Sequence, residues 1–176
     1  METFSDQNQP TGLVARSRVH ALGLWHRAAN VFLFRTDGRL ITQLRHDSKD
    51  LCPGTWDLSV AEHLKPGESY LDGALRGLNE ELGIDGVELE PIGEEARTTF
   101  EVSGLGIRDC ELQMCFRGVS DAKIVPQVDE VSEIRLFHLG DLRVAMSESP
   151  ASFTPWFCDR AQEVGLFDLF GRDGKI

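Results

Sequence analysis

The stretch from Glu62 to Ile84 concentrates residues whose types and spacing could do chemistry. It reads EHLKPGESYLDGALRGLNEELGI, in which a Pro-Gly turn leads into an acidic segment that ends in the pair Glu80 and Glu81. Carboxylate oxygens beside such a turn suit a hard cation such as Mg²⁺, which usually also takes oxygens from a substrate phosphate. The alternative is an ordinary amphipathic helix whose charged outer face is solvated.

Apolar periodicity predicts that these acids lie on a helix. The helix is expected to begin at about Ser69, after the turn at Pro66–Gly67, and to end at a Gly83 C-cap. Its apolar residues recur at helical spacing and are expected to face a core: Leu71, Ala74, Leu75, Leu78 and Leu82. A second face carries charged residues at i, i+4 spacing: Asp72, Arg76 and Glu80.

The same stretch matches seven of the nine defined positions of the Nudix box, G-x5-E-x7-R-E-U-x-E-E-x-G-U, where U is aliphatic. The matching residues are Glu68, Arg76, Leu78, Glu80, Glu81, Gly83 and Ile84. The chain therefore resembles the Nudix family. This resemblance implies an α/β fold, the Nudix α/β/α sandwich with a mixed, partly curled β-sheet, formed by residues 1–176 as one domain.

Two positions depart from the box. Glu62 replaces its opening glycine, and Gly77 replaces a glutamate that family members use as a metal ligand or base. Glycine inside a helix costs about 1 kcal/mol relative to alanine, so replacing Gly77 by glutamate is expected to stabilise the helix. Gly77 is compatible with a requirement of the site or with sequence drift, and Glu62 is a candidate to supply part of the lost carboxylate.

Motifs outside the box resemble type 1 isopentenyl-diphosphate isomerase, itself a Nudix-fold family. They are His20, His26-Arg27-Ala28, Pro53-Gly54-x-Trp56, Glu62-His63, Asp109-x-Glu111 and Phe153-Thr154-Pro155-Trp156. In that family, three histidines and two acids bind a divalent cation, and the matching residues here are His20, His26, His63, Asp109 and Glu111. Imidazole and carboxylate ligands together suit Zn²⁺, Mn²⁺ or similar ions. Taken singly, each histidine would be read as an ordinary polar residue.

The isomerase resemblance also implies roles for residues that contact substrate. Glu81 matches a glutamate that helps to hold Mg²⁺ on the substrate diphosphate, and three basic residues match those that bind the diphosphate: Arg16, Arg45 and Lys49. Trp156 matches an aromatic residue whose π-face would stabilise a carbocation. On their own, Trp156 reads as a core residue, and Arg16 and Lys49 read as surface charges.

One departure from the isomerase concerns the chemistry itself. The reactive cysteine of that family lies two residues before the third histidine, where this chain has Ala61, which cannot transfer a proton. We therefore expect a metal-dependent hydrolase of a small-molecule diphosphate joined to another moiety. Glu80 and Glu81 are its predicted Mg²⁺ (or Mn²⁺) ligands, and Glu111 is a further ligand or general base. An isomerase-like enzyme and a diphosphate-binding sensor are the alternatives.

Composition excludes several other classes of function. The chain has 176 residues and a net charge of −11, which makes it a poor candidate for binding nucleic-acid backbones. It has no apolar run long enough for a membrane span and a polar N-terminus unlike a signal peptide, so a cytoplasmic location is expected. The four cysteines lack C-x-x-C spacing and are expected to be reduced, mostly in the core.

The remaining elements follow from alternation and turn residues. Residues 1–10 are expected to be flexible, and His46 to Gly54 to form a polar loop. The predicted strands are Leu13–Arg18, Ala28–Arg35, Leu40–Arg45, Trp56–Val60, Gly86–Pro91, Ala96–Val102, Asp109–Arg117 and Ile134–Phe137. Asp37-Gly38 predicts a hairpin, and Ser103–Gly106 a loop. Two C-terminal helices are predicted at His138–Met146 and Ser152–Leu169.

Overall fold

A computed structural model describes residues 1–102 and 107–169, so the expected loop at Ser103–Gly106 lies outside the described residues. The strands are β1 (Glu2–Phe4), β2 (Pro10–Leu13), β3 (Trp25–Phe34), β4 (Leu40–Arg45), β5 (Trp56–Asp57), β6 (Val60–His63), β7 (Leu89–Val102), β8 (Ile107–Val119) and β9 (Val131–Phe137). The α-helices are α1 (Arg16–Leu22), α2 (Tyr70–Leu82), α3 (Leu139–Glu148), α4 (Pro155–Glu163) and α5 (Leu166–Leu169).

Strand β3 lies at the centre of the sheet. It is ten residues long and almost wholly buried, as its run of apolar residues requires. It pairs in parallel with β8 and antiparallel with β1, β4 and β6. Strand β7 extends the sheet beyond β8, while β5 and β9 pair with β4. The sheet is therefore mixed, as expected. The hairpin predicted at Asp37-Gly38 joins β3 to β4, with Gly38 at a φ of 83°.

Alternate residues of β3 face two separate cores, which makes the fold an α/β/α sandwich. Ala29, Val31 and Leu33 pack with apolar residues of α2. Phe32 and Phe34 face the other side, where α3, α4 and α5 contribute residues such as Phe157. The predicted α/β/α sandwich is thus confirmed. In the described ranges, every helix is too short or too polar to cross a lipid bilayer.

Helix α2 has the predicted ends, but its buried face is narrower than predicted. Ser69 is the N-cap, accepting a hydrogen bond from the Asp72 amide, and Gly83 ends the helix at a φ of 65°. The predicted stripe is wrong at Leu71, which is 42% exposed. Leu75 is only half-buried. The other predicted positions, Ala74, Leu78 and Leu82, are buried at i, i+4 spacing.

Gly77 lies where α2 approaches β6 most closely. A Cβ atom at this position would lie 2.6 Å from Cγ1 of Val60 and 3.0 Å from Cβ of Glu62. This overlap opposes the gain in helix propensity on which the expected stabilisation by a larger residue rests. Glycine at this position is explained by packing between the helix and the strand.

Five expectations about individual elements need correction. The strands predicted at Gly86–Pro91 and Ala96–Val102 are one strand, β7, which begins at Leu89. Residues 2–4 are paired as β1 rather than flexible. Leu13–Arg18 is not a strand, because β2 ends at Leu13 and α1 begins at Arg16. Trp56–Val60 divides into β5 and β6, which pair with different neighbours. The last predicted helix divides into α4 and α5 at Gly165, whose φ is 63°.

We predict that Gly77→Ala lowers the free energy of unfolding by about 1–3 kcal/mol, because the added methyl group overpacks the contact with Val60. Urea unfolding followed by circular dichroism measures this loss. The matched control is Gly140→Ala in α3, where a Cβ would meet nothing within 4 Å. This control should raise the stability by up to about 1 kcal/mol. Equal gains in both variants would contradict the packing argument.

Candidate functional site

A cavity of about 450 Å³ is lined by residues of α1, β3, β4, β6, α2, β8 and α4. This is an ordinary size for a small-molecule site. Nine of the residues selected from the sequence line it: Arg16, Arg45, Lys49, His63, Glu80, Glu81, Asp109, Glu111 and Trp156. The other two, His20 and His26, lie in contact with Asp109. The tertiary structure therefore gathers the whole predicted set in one place.

The histidines and two of the acids form a cluster at one end of this cavity. His20 comes from α1, His26 from β3 and His63 from β6. Ligand atoms of these three residues and of Asp109, on β8, all lie within 4.8 Å of one another. Glu111, also on β8, places Oε1 2.8 Å from His63 Nε2 and 3.7 Å from His26 Nε2.

Unpaired atoms in this cluster fit a bound cation. His20 Nε2, His26 Nε2 and Asp109 Oδ1 are buried and have no hydrogen-bond partner among the described residues. His26 Nδ1 donates to the Leu24 carbonyl oxygen at 2.9 Å, which leaves the Nε2 lone pair of the neutral ring turned toward Asp109. A backbone acceptor of this kind is the usual support of a metal-binding histidine. Nitrogen and carboxylate donors suit Zn²⁺ or Mn²⁺.

Electrostatics within the cluster favour an ionised Glu111. Its burial opposes ionisation, but the hydrogen bond with His63 and the charges of His63 and His26 lower the pKa of Glu111 to about 2. Burial also opposes protonation of His26, yet Asp109, Glu111 and the Leu24 carbonyl outweigh it and raise the pKa of His26. Burial lowers the pKa of His20 against the opposing charge of Asp109.

The acids of α2 occupy two different environments. Glu81 is only 5% exposed and accepts a hydrogen bond from Gln43 Nε2 at 2.6 Å. Burial raises the pKa of Glu81 to about 8, although the Gln43 hydrogen bond opposes this shift. Glu80 is exposed and pairs with Arg76 at 2.9 Å and Lys65 at 3.2 Å. Both side chains line the cavity, but only Glu81 is desolvated.

The cations that line the cavity are already paired with acids. The pairs are Arg16–Asp50, Arg45–Asp57, Lys49–Glu130, Lys65–Glu80 and Arg76 with Glu62, Glu68 and Glu80. The Arg16 pair is largely exposed and therefore weak. A phosphate could displace Asp50 or Glu130 at little expense, whereas Asp57 is fully buried.

Asp57 was missed by the sequence reasoning, although it organises one wall of the cavity. Its carboxylate accepts hydrogen bonds from Arg45 Nη1 at 3.0 Å, Trp156 Nε1 at 2.9 Å and Thr154 Oγ1 at 2.9 Å. The Arg45 guanidinium lies 5.1 Å from the Trp156 ring centroid. One face of the Trp156 ring is therefore covered by Arg45. The available signal was an acid inside the strand-like run from Trp56 to Val60.

The fold and the cavity together define a class of protein. It is an α/β/α sandwich with an acidic helix after a turn, and its cavity is lined by carboxylates, imidazoles and paired cations. A family profile for the NUDIX domain matches residues 24–157. The chain belongs to the Nudix family, near its isopentenyl-diphosphate isomerase-like branch.

Relatives named as isopentenyl-diphosphate isomerases and a relative named as a Nudix hydrolase both match nearly the whole chain. An isopentenyl-diphosphate Delta-isomerase of Kocuria rhizophila is 30% identical over 96% of this chain and 93% of its own. An uncharacterized Nudix hydrolase of Pseudomonas aeruginosa is 33% identical over 92% of this chain and 89% of its own. The crystal structure of DR0079 from Deinococcus radiodurans has the same fold, with a TM-score of 0.71 and 21% identity over 94% of this chain and 96% of its own.

We predict that the histidine cluster binds a transition-metal ion. Protein purified without chelator, or reconstituted with Mn²⁺ or Zn²⁺, should retain the metal through gel filtration, and His63→Ala should lose most of it, because a ligand nitrogen is removed from the cluster. Elemental analysis measures the content. The matched control is His138→Ala, an exposed histidine outside the cavity. Equal metal content in the wild type and His63→Ala would contradict the site.

We predict that Glu81 makes the metal-free protein less stable as the pH rises. Its folded pKa of about 8 lies above the ordinary value of 4.5, so its contribution is fully present below about pH 4.5 and is lost as the pH rises through about 8. Glu81→Gln removes this titration. In EDTA, the variant should gain stability relative to the wild type between pH 5 and 9, by roughly 1–4 kcal/mol. If the free energy of chemical unfolding changes with pH in the same way in the wild type and in Glu81→Gln, the raised pKa of Glu81 is contradicted.

Proposed function

We propose that the protein is a divalent-cation-dependent hydrolase of a small-molecule diphosphate joined to another moiety. One observation carries the proposal. A single cavity contains the box acids Glu80 and Glu81 together with cations suited to phosphate oxygens, Arg45 and Lys49. Carboxylates and cations in one cavity match the two needs of diphosphate chemistry, which are metal ligands and anion-binding groups.

The residues of this chain supply binding and orientation. Glu81 and Glu80 would hold Mg²⁺ or Mn²⁺, and such an ion polarises phosphorus and lowers the pKa of a bound water. Lys49 can exchange its exposed partner Glu130 for a phosphate oxygen. Arg45 is held by Asp57 and presents a fixed charge to the substrate. The position of this guanidinium is thus set before substrate binds.

The pKa shifts favour Glu62 over Glu111 as the general base. A base works best when its pKa lies near the working pH. Because the pKa of Glu111 is about 2, Glu111 is better suited to be a ligand in the histidine cluster than a proton acceptor. Burial raises the pKa of Glu62, against the opposing charge of Arg76, and Glu62 lines the cavity next to the box acids. We assign Glu62 as the candidate base.

An isomerase-like activity is the second candidate. Relatives named isopentenyl-diphosphate Delta-isomerase, and the cluster of three histidines with Asp109, support it. Against it, Ala61 presents only a methyl group to the cavity. All four cysteines fall within the described residues, and none of them lines the cavity. A cysteine is thus absent from the place where the isomerase has its reactive one.

A diphosphate-binding sensor is the third candidate, suggested by the missing glutamate at Gly77. The packing of Gly77 against Val60 gives a different reason for that glycine. A sensor would show Mg²⁺-dependent affinity for the diphosphate without forming product. Turnover measurements therefore separate the sensor from the hydrolase.

We predict that Glu81→Gln lowers Mg²⁺-dependent turnover by roughly 10²-fold or more, because it removes a charge that would stabilise the transition state through the cation. The assay is formation of the monophosphate products, separated by chromatography, from nucleoside, nucleotide-sugar and isoprenoid diphosphates with Mg²⁺ or Mn²⁺. Glu88→Gln makes the same change at an exposed position outside the cavity and should leave turnover unchanged.

Two results, one from this assay and one from an isotope-exchange experiment, would overturn these assignments. Wild-type turnover in Glu81→Gln at saturating Mg²⁺ would remove Glu81 from the site. Incubation with isopentenyl diphosphate in deuterated water tests the isomerase directly, because even futile proton exchange labels the substrate. We expect no label. Deuterium incorporation at enzyme-like rates would favour the isomerase, and gain of this exchange only in Ala61→Cys would show that Ala61 blocks it.

A further inference from the structure

The sheet face beneath the cavity contains a hollow made by two alanines. The pairing of β8, β3 and β6 forms two adjacent rows of side chains on this face, Gln113–Ala28–His63 and Cys115–Asn30–Ala61. Paired residues and residues two apart on a strand point to the same face. Because alanine side chains end at Cβ, Ala28 and Ala61 leave open space beside Asn30, and all three residues line the cavity.

Polar atoms around this hollow lack partners. Asn30 is 1% exposed, and its Nδ2 is buried with no hydrogen-bond partner in the part of the chain that the structure describes. Gln113 is also 1% exposed, and its Oε1 is buried without a hydrogen-bond partner among the same described residues. Gln113 lines a side cavity of about 40 Å³ that shares Asp109, Glu111 and Trp156 with the main cavity.

The Cys115 thiol interacts with the Asn30 carboxamide but does not satisfy both of its N–H groups. Cys115 is its neighbour in the parallel pairing, and a thiol is a weak acceptor. Burial raises the pKa of Cys115 to about 11, so its sulfur is not a thiolate at neutral pH. A carboxamide has two N–H groups, so at least one remains for a ligand.

An unpaired buried donor and an unpaired buried acceptor disfavour a hydrocarbon at this place. Apolar contact would leave both atoms desolvated and without hydrogen bonds, which is unfavourable. A hydroxyl or carboxamide group in the main cavity offers an oxygen that can accept from the Asn30 N–H, while Gln113 lines the side cavity. The side cavity of about 40 Å³ admits a group of about the size of water.

We propose that this hollow is a subsite for a hydroxyl or carboxamide group on the moiety joined to the diphosphate, and that Asn30 determines this specificity. The proposal rests on the proposed diphosphate site and names its substrate class: a diphosphate whose second moiety is polar, such as a sugar, rather than an isoprenoid. Ala61 and Ala28 provide the space, and Asn30 provides the hydrogen bond.

The test compares two probes and two kinds of measurement. ADP-ribose carries sugar hydroxyls, and isopentenyl diphosphate carries only a hydrocarbon. Equilibrium binding with Ca²⁺ and turnover with Mg²⁺ are measured for the wild type and Asn30→Leu. We expect tighter binding of ADP-ribose by the wild type. In Asn30→Leu, the Kd and KM for ADP-ribose should rise roughly 10- to 100-fold, while those for isopentenyl diphosphate stay equal or fall.

Controls separate specificity from folding. Gln162→Leu makes the same change from amide to hydrocarbon on the exposed face of α4 and should alter neither probe. If Asn30→Leu does not fold, as judged by thermal unfolding, Asn30→Ala replaces it and should show the same selective loss.

The outcomes distinguish the subsite from the hydrolase. Binding of ADP-ribose that depends on Asn30 but gives no product would contradict hydrolysis and support the subsite. Equal weakening of both probes by the Asn30 variants would overturn the subsite, since it would indicate a structural role only. Preference of the wild type for isopentenyl diphosphate, or binding of neither probe, would also overturn it.

Discussion

The guanidinium of Arg76 is the interaction on which the geometry of the cavity depends. It donates to both carboxylate oxygens of Glu68, at 2.8 and 2.9 Å, and to the His63 carbonyl oxygen at 2.9 Å. It also bonds Glu80 and lies 3.1 Å from Glu62. One planar group therefore joins the turn, β6 and α2. Bidentate pairs of this type are strong, and this one is largely shielded from water.

These bonds of Arg76 hold α2 against β6, and the close approach has two consequences. Gly77 must be glycine, because Val60 occupies the space of a Cβ. Glu81, one helical turn after Gly77, is buried beside Gln43 rather than solvated. Burial disfavours the ionised form and outweighs the Gln43 hydrogen bond and the Lys49 charge, which explains the raised pKa of Glu81. The cation proposed at Glu81 would offset that penalty.

The histidine cluster shows the same principle with different ligands. Among the described residues, buried atoms of His20, His26 and Asp109 have no hydrogen-bond partner, although His26 Nε2 lies 3.2 Å from Asp109 Oδ1. Buried polar atoms without partners are uncommon and usually mark a function. Asp57, by contrast, is fully buried but accepts several hydrogen bonds and holds Arg45 and Trp156 in place. Unpaired groups mark places for ligands, and paired groups fix the wall around them.

Local sequence alone determined the α2 helix with its Ser69 and Gly83 ends, the Asp37-Gly38 hairpin and the family of the fold, because caps, turns and motif spacing act over a few residues. It also identified the residues that gather at the cavity. Only the tertiary structure decided the reason for Gly77, the role of Asp57 and the unpaired state of Asn30. Each of these depends on contacts between residues distant in sequence, such as Asn30 with Cys115 and Ala61, and strand register sets those contacts.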